Sequence, residues 1–325
     1  MLNLQLQKRA SWSSRAQRGI CFLFFVVLFL PLVGDTQAPP RRPRILGIEG
    51  VTIHVSDPYG SRKFYFAALN QHENKSKPCF WCEKPPSFSL DISLNKFQSI
   101  LLKPLPGPPP SNLIKEITFW TDNVATLRSY LLANLTDTSS LTGPGMKYLS
   151  LTDPESHKIS FVETDGVLKD SKVTATQTKG GYENEIIHAG FVVHDRPAME
   201  HFYKDILGFR PYWHGGMKDD REDWVSFQVP DGSEWIEFML NVPENADQRL
   251  RGIMNHIALG VTDIHAAQEQ LRKNGAPLTE EPKIGRDGKW QLNLYDPDGT
   301  RVEFMEFSPV QKPCCSEFTA PHPKP

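Results

Sequence analysis

Four short stretches of the chain alternate apolar and polar positions and then break at an Asp: "GVTIHVSD" (Gly50 to Asp57), "KEITFWTD" (Lys115 to Asp122), "HAGFVVHD" (His188 to Asp195) and "HIALGVTD" (His256 to Asp263). A period of two marks a strand with one face buried. Beyond the Asp the pattern becomes helical: "RPAMEHFYKDIL" closes at Gly208 and "IHAAQEQLRKN" closes at Gly275. Asp accepts a bond from the free N–H groups of a first turn, and Gly tolerates the left-handed turn at a helix end. Alternating runs then return. They are "DWVSFQVP" and "SEWIEFMLNV" after the third stretch, and "WQLNLYDP" and "TRVEFMEF" after the fourth. The turns Pro230-Asp231-Gly232 and Pro297-Asp298-Gly299 between them have hairpin chemistry. Each stretch therefore opens one βαβββ module, with a repeat of about 65 residues inside each half. The predicted fold class is α+β: four tandem modules paired into two cup-shaped barrels.

Breaks in the pattern set the organisation. The run "KPLPGPPPSN" (Lys103 to Asn112) is too rich in proline for helix or central strand and separates the first module from the second. A polar, aperiodic stretch from Thr164 to Glu185 divides the halves. This places a first half at 44–165, a linker at 166–184, a second half at 185–308 and a tail at 309–325.

Strand alternation decides which side chains face each cup. If His188 points inward, Gly190 shares its face while Ala189 and Phe191 turn to the helices; from His256 the inward face carries Ala258 and Gly260. On the closing strands Glu237 shares a face with Trp235 and Met239, and Glu303 with Arg301 and Met305. Two His and two Glu thus stand at equivalent positions of two related modules. Two imidazoles and two carboxylates suit a divalent first-row ion, Zn, Ni, Fe, Mn or Co, and the expected ligands are His188, Glu237, His256 and Glu303. Counting back seven residues from Asp, the first half offers Gly50 and Lys115 for the two His, Ser160 for Glu303 and Ser99 for Glu237. His54 and Glu163 lie out of step, so the first cup is expected to hold no metal.

The four modules, the His-to-Asp spacing and the closing strand "YDPDGTRVEFME" resemble the vicinal oxygen chelate superfamily of glyoxalases, bleomycin resistance proteins and extradiol dioxygenases. The resemblance covers nearly all of the chain after its leading segment, most clearly Glu185 to Phe307. It implies paired βαβββ modules, one divalent metal in the cup, and a small-molecule substrate that offers oxygen to that metal. It also implies glyoxalase-type chemistry, in which a Glu, here Glu237 or Glu303, moves a proton without net oxidation. An extradiol dioxygenase is the alternative. The resemblance places a Tyr three residues before the closing Asp-Pro in that class, and this chain has Asn293. A third reading is a non-catalytic binding protein that holds a ligand between aromatic walls. Trp213, Trp224, Trp235 and Trp290 could supply them, although a strand Trp is more often core.

Charge and composition narrow the surroundings. Lys8, Arg9, Arg15 and Arg18 precede an apolar run of about 14 residues, Ile20 to Val33, and then "GDTQA". That order reads as a signal peptide, residues 1–38, and a secreted or periplasmic protein with no stable membrane insertion after cleavage. Cleavage removes four positive charges and one negative, so the formal charge of −2 becomes −5 and gives no electrostatic case for nucleic acid. Cys79, Cys82, Cys314 and Cys315 survive cleavage. In an oxidising compartment a loop disulfide is expected, with the tail pinned to the first half as one possibility.

Overall fold

The computed structural model describes residues 40–69, 89–145, 147–164 and 185–325. The expected signal segment, Cys79, Cys82 and the linker at 166–184 lie outside them. The order is β1 (Ile45–Val55), α1 (Pro58–Ala68), β2 (Leu90–Ser93), β3 (Ser99–Pro104), β4 (Ile114–Thr121), α2 (Val124–Asn134), β5 (Thr142–Gly145), β6 (Tyr148–Thr152) and β7 (Lys158–Glu163). The second half repeats it with β8 (Ile186–Val192), α3 (Arg196–Glu200), β9 (Arg210–Gly215), β10 (Trp224–Gln228), β11 (Trp235–Met239), α4 (Gln248–Met254), β12 (His256–Val261), α5 (Ile264–Lys273), β13 (Lys283–Ile284), β14 (Trp290–Tyr295) and β15 (Arg301–Glu306). A π-helical turn over His201–Ile206 continues α3.

The elements form where the sequence chemistry places them. Asp57, Asp195 and Asp263 each accept a bond from first-turn N–H groups of α1, α3 and α5. Gly208 and Gly275 end their helices at φ +80° and +75°, a conformation costly for any side chain with a Cβ. The second module departs from expectation. Asn123 caps α2 through Thr126 N–H, while Asp122 is taken by Arg44.

Two sheets result. The first has seven strands in the order β2-β3-β1-β4-β7-β6-β5, and the second eight in the order β13-β14-β15-β12-β8-β11-β10-β9. In each sheet the opening strands of the two modules lie antiparallel at the centre, and each pairs in parallel with its own module's closing strand. The outer faces pack on the helices. One apolar core runs through both halves, from Ile48, Phe119 and Phe161 to Phe191, Phe238 and Phe304.

The halves also lock reciprocally. Tyr65 of α1 donates to Asp296 beyond β14 (3.2 Å), and Tyr203 beyond α3 donates to Asp153 beyond β6 (3.1 Å). Both hydroxyls are buried. Burial pushes the Asp296 carboxyl up to about 7. Residues 309–325, expected as a tail, carry no helix or strand but pack as a strap: Thr319 bonds Tyr212 and Pro211 on β9, and Ser316 bonds His214. Cys314 and Cys315 are joined to each other, so neither pins the strap to the first half.

The two tyrosine locks differ in backup, and that difference is measurable. Asp153 Oδ2 keeps a bond from His157 when Tyr203 is removed, whereas Asp296 Oδ2 is reached only by Tyr65 among the described residues. Tyr65→Phe is expected to cost about 1–3 kcal/mol and Tyr203→Phe about 0.5–1.5 kcal/mol in urea unfolding. Equal losses would show that the spare bond at Asp153 contributes nothing.

Candidate metal centre

Strand register assembles the site from two adjacent rows. Across β11, β8, β12 and β15 one row reads Trp235, His188, Ala258, Glu303, and the next reads Glu237, Gly190, His256, Arg301. Each row contributes one His and one Glu, on the face away from the helices. All four expected residues therefore meet in one cup.

The distances are close. His188 Nε2 lies 2.9 Å from His256 Nε2. Glu303 Oε2 is 3.5 Å from His188 Nε2 and 3.7 Å from His256 Nε2. Glu237 Oε2 is 3.6 Å from His256 Nε2, and ligand atoms of His188, Glu237 and His256 lie within 4.8 Å of one another. Both histidines are fully buried. The Glu303 side chain is 4% exposed and that of Glu237 14%.

Protonation chemistry tests whether these groups fit a cation. His256 Nδ1 donates to the carbonyl of Met254 (2.9 Å), which leaves a lone pair on its Nε2. His188 Nδ1 is buried with no partner. If its proton sits there, two Nε2 lone pairs face each other; if it sits on Nε2, Nδ1 is an unsatisfied buried acceptor. A divalent ion bound to both Nε2 atoms removes the conflict, and their spacing suits metal–nitrogen bonds of about 2.0–2.1 Å. Burial drives both imidazoles well below the usual histidine range, with the Arg301 charge adding to it, so they are neutral and ready to ligate. Burial, then the Glu303 charge, pushes the Glu237 carboxyl up to about 8; burial raises Glu303 as well.

Glycine and neighbouring side chains set the geometry. A Cβ on Gly190 would lie 2.0 Å from His256 Cε1, so the space beside His188 is filled by the other imidazole and not by a ligand. Trp235 stacks on His188 at 4.6 Å between ring centroids. Ser226 Oγ donates to Glu237 Oε1 (3.0 Å) from the opposed position on β10. In the sequence Ser226 is an ordinary inward position of "DWVSFQVP" and carries no signal of this partnership. A cavity of about 290 Å³ opens over the cup, walled by Trp213, Trp224, Trp235, Met239 and the strap's Phe318, with Glu237 and Glu303 among its lining. Trp213 and Trp235 are buried in an apolar cluster with Trp224 packed against it, as a core role requires, and all three also line the cavity; Trp290 packs on the main core and on His265.

The first cup holds a different set. Because Asn123 and not Asp122 caps α2, the place of His256 falls to Glu116, and Lys115 is exposed. The ladders agree: Thr118 stands opposite Gly50 and Ser160, and Thr52 opposite Glu116 and Leu101. Gly50, Leu101, Glu116 and Ser160 therefore replace His188, Glu237, His256 and Glu303, which corrects the assignments of Lys115 and Ser99. Glu116 is held by the Lys158 ammonium (3.2 Å), Tyr148 OH (3.0 Å) and Ser160 Oγ. An internal ion pair stands where the second cup has the candidate ligand set. Glu163 accepts from Val124 N–H and caps α2.

Comparison with known proteins gives concordant results. The sequence model described as the Glyoxalase/Bleomycin resistance protein/Dioxygenase superfamily matches residues 185–304. A lactoylglutathione lyase of Haemophilus influenzae is 30% identical over 124 residues, covering 38% of this chain and 92% of the relative. The homoprotocatechuate 2,3-dioxygenase of Brevibacterium fuscum, solved with 3,4-dihydroxyphenylacetate, superimposes with a TM-score of 0.54 at 18% identity, covering 87% of this chain and 84% of that one. The enzyme of the same name from Arthrobacter globiformis gives 0.55 at 17% identity, covering 83% and 82%. At such identities these two structures speak for the fold.

One divalent ion per chain is expected, measured by elemental analysis after reconstitution. His256→Ala or Glu303→Ala should remove most of it, and Gly190→Ala should do so through the clash with His256. His54→Ala and Glu163→Ala should leave the stoichiometry unchanged. Loss of metal in the second pair but not the first would place the site in the other cup.

Proposed function

The chain belongs to the glyoxalase/bleomycin resistance protein/dioxygenase superfamily, and on that premise we propose that it is a metal-dependent enzyme of the lyase or isomerase type. It would transfer a proton on a small oxygen-bearing substrate without net oxidation. The carrying observation is the pair of unequal carboxylates flanking two neutral imidazoles 2.9 Å apart.

His188, His256 and Glu303 are the firmest holders of the ion, and Glu237 completes the set. A bound divalent ion supplies Lewis-acid polarisation of a substrate oxygen. The protein's own residues do the rest. Glu303 faces both imidazoles and is nearly sealed, which suits a fixed ligand. Glu237 comes to 3.6 Å of His256 and within 4.8 Å of His188, is the more open to the cavity, and is steadied by Ser226. It is therefore the group placed to take a proton from a carbon held at the cavity floor and to return it. The tryptophan and methionine walls keep bulk water from competing for that proton.

The lactoylglutathione lyase relative supports this reading over ring cleavage. So does Asn293, which stands opposite Glu303 on β14 and gives its amide to Glu280 (3.0 Å), in the strand position where the resemblance would place a dioxygenase Tyr. The leading 38 residues are proposed as an export signal, and native material should begin after Ala38 by N-terminal sequencing. Material beginning at Met1 in a membrane fraction would refute that.

Glu237→Gln is expected to keep the bound metal and to lower kcat/KM by roughly 10²- to 10⁴-fold on an epimerisable or α-ketoaldehyde substrate, because an amide can ligate but cannot accept the proton. Oxygen-electrode traces on the iron-loaded protein with catechols supply the counter-test. Stoichiometric oxygen uptake that survives Glu237→Gln would establish the dioxygenase instead.

A further inference from the structure

The cavity over the candidate metal centre is lined by a guanidinium that makes no direct ion pair, although its charge acts on the Glu303 and Glu237 carboxylates. Arg301 lies on β15 two residues before Glu303, so both side chains share the inward face, and its backbone stands directly beside His256 on β12. Its side chain lines the cavity. Its Nε is buried with no hydrogen-bond partner, and the Glu303 and Glu237 carboxylates feel its charge without bonding it. The other arginine of the wall, Arg286, is engaged by Asp219 and by the carbonyl of Gly216.

The first half supplies an internal comparison. The residue equivalent to Arg301 by ladder register is Lys158, and there the neighbouring strand presents Glu116 at 3.2 Å. In the second half the position of Glu116 is occupied by His256, which is neutral. The cation has been kept while its partner has been exchanged. A partly buried arginine stays charged and loses hydration without compensation unless something pairs with it.

The other unmet groups of the wall point the same way. Among the cavity-lining residues the buried polar atoms without a partner are Arg301 Nε, Trp213 Nε1 and Trp235 Nε1. All three are donors and none can accept. None of them calls for a donor from a ligand, and the guanidinium among them calls for an acceptor. Glu237, Glu303, Asp287, Ser226 and Gln291 also line the cavity, and its apolar side is aromatic and thioether, with Trp224, Met239, Met254, Met305 and Phe318 suited to an apolar body.

We propose that the substrate is a small carboxylate with an apolar body, its carboxylate paired with Arg301 and its remaining oxygens directed to the metal cup. The planar guanidinium fork favours a planar carboxylate, bound bidentately, and the volume of about 290 Å³ favours a substrate of single-ring size. This inference rests on the proposed function only for the destination of the second set of oxygens. The pairing with Arg301 stands independently of it.

The test compares phenylacetate with phenylacetamide, equal in shape and different in charge, by intrinsic tryptophan fluorescence of the full chain with and without Zn(II). The wild type is expected to bind phenylacetate at least tenfold tighter than the amide. Arg301→Gln should reduce that preference at least fivefold, and Arg301→Lys should restore part of it, with zinc stoichiometry and circular dichroism unchanged in both. A preference of the same size in wild type and Arg301→Gln would overturn the proposal, as would tighter binding of the amide. Failure to take up zinc would count against the metal-enzyme reading alone, because the charge preference is still read from the zinc-free titration.

Discussion

The antiparallel register between β8 and β12 is the constraint on which the site depends. It sets His256 opposite Gly190 and His188 opposite Ala258, and so brings the two imidazoles together as a staggered pair. A slip of one residue would turn every side chain of one strand to the other face and send His256 into the helix layer. Gly190 makes the stagger possible, since the His256 ring occupies the volume a Cβ would need. The parallel pairings to β11 and β15 then carry a carboxylate to each imidazole. The cluster of two imidazoles and two carboxylates is thus a property of the sheet, and the helices contribute by burying its back face.

The two halves show what one scaffold does with and without such a set. Both keep the central antiparallel pair, the parallel closing strands and a tyrosine lock to the opposite half. In the first cup a Glu116–Lys158 ion pair with Tyr148 and Ser160 satisfies the inward groups locally. A buried carboxylate must be paired, and an ammonium from the neighbouring strand does so without a bound ion. The second cup keeps a cation in that position, Arg301, but exchanges the carboxylate beside it for the neutral His256, so its inward groups are not satisfied by the same local ion pair.

Much of this was legible because the pattern repeats. His188, His256, Glu237 and Glu303 were identified by alternation and by their equivalent places in related modules, and the structure joins them. Lys115 was misassigned for Glu116 because the count ran from an Asp, whereas the cap that fixes the phase of α2 is Asn123 and Asp122 serves Arg44. Ser226, Lys289 and the strap escaped notice for another reason. Their roles come from neighbours remote in the chain, and the strap has no periodicity by which sequence could reveal its packing.

Lys289 shows how such remote contacts support the chemistry. Its side chain is fully buried beside β9 and β14, where the ammonium meets the rings of Trp235 (4.6 Å), Phe318 (5.2 Å) and Tyr212 (5.6 Å) and bonds Tyr212 OH at 3.4 Å. Burial lowers it to about 8, against the opposing charges of Asp287, Glu237 and Glu303. The ammonium on the Trp235 ring steadies the indole that stacks on His188, so the strap, the lysine and the indole together support that imidazole. With that backing in place, the orientation of His188 does not depend on its unpartnered Nδ1. The imidazole is held by packing where His256 is held by a hydrogen bond, so two equivalent side chains are oriented by different means.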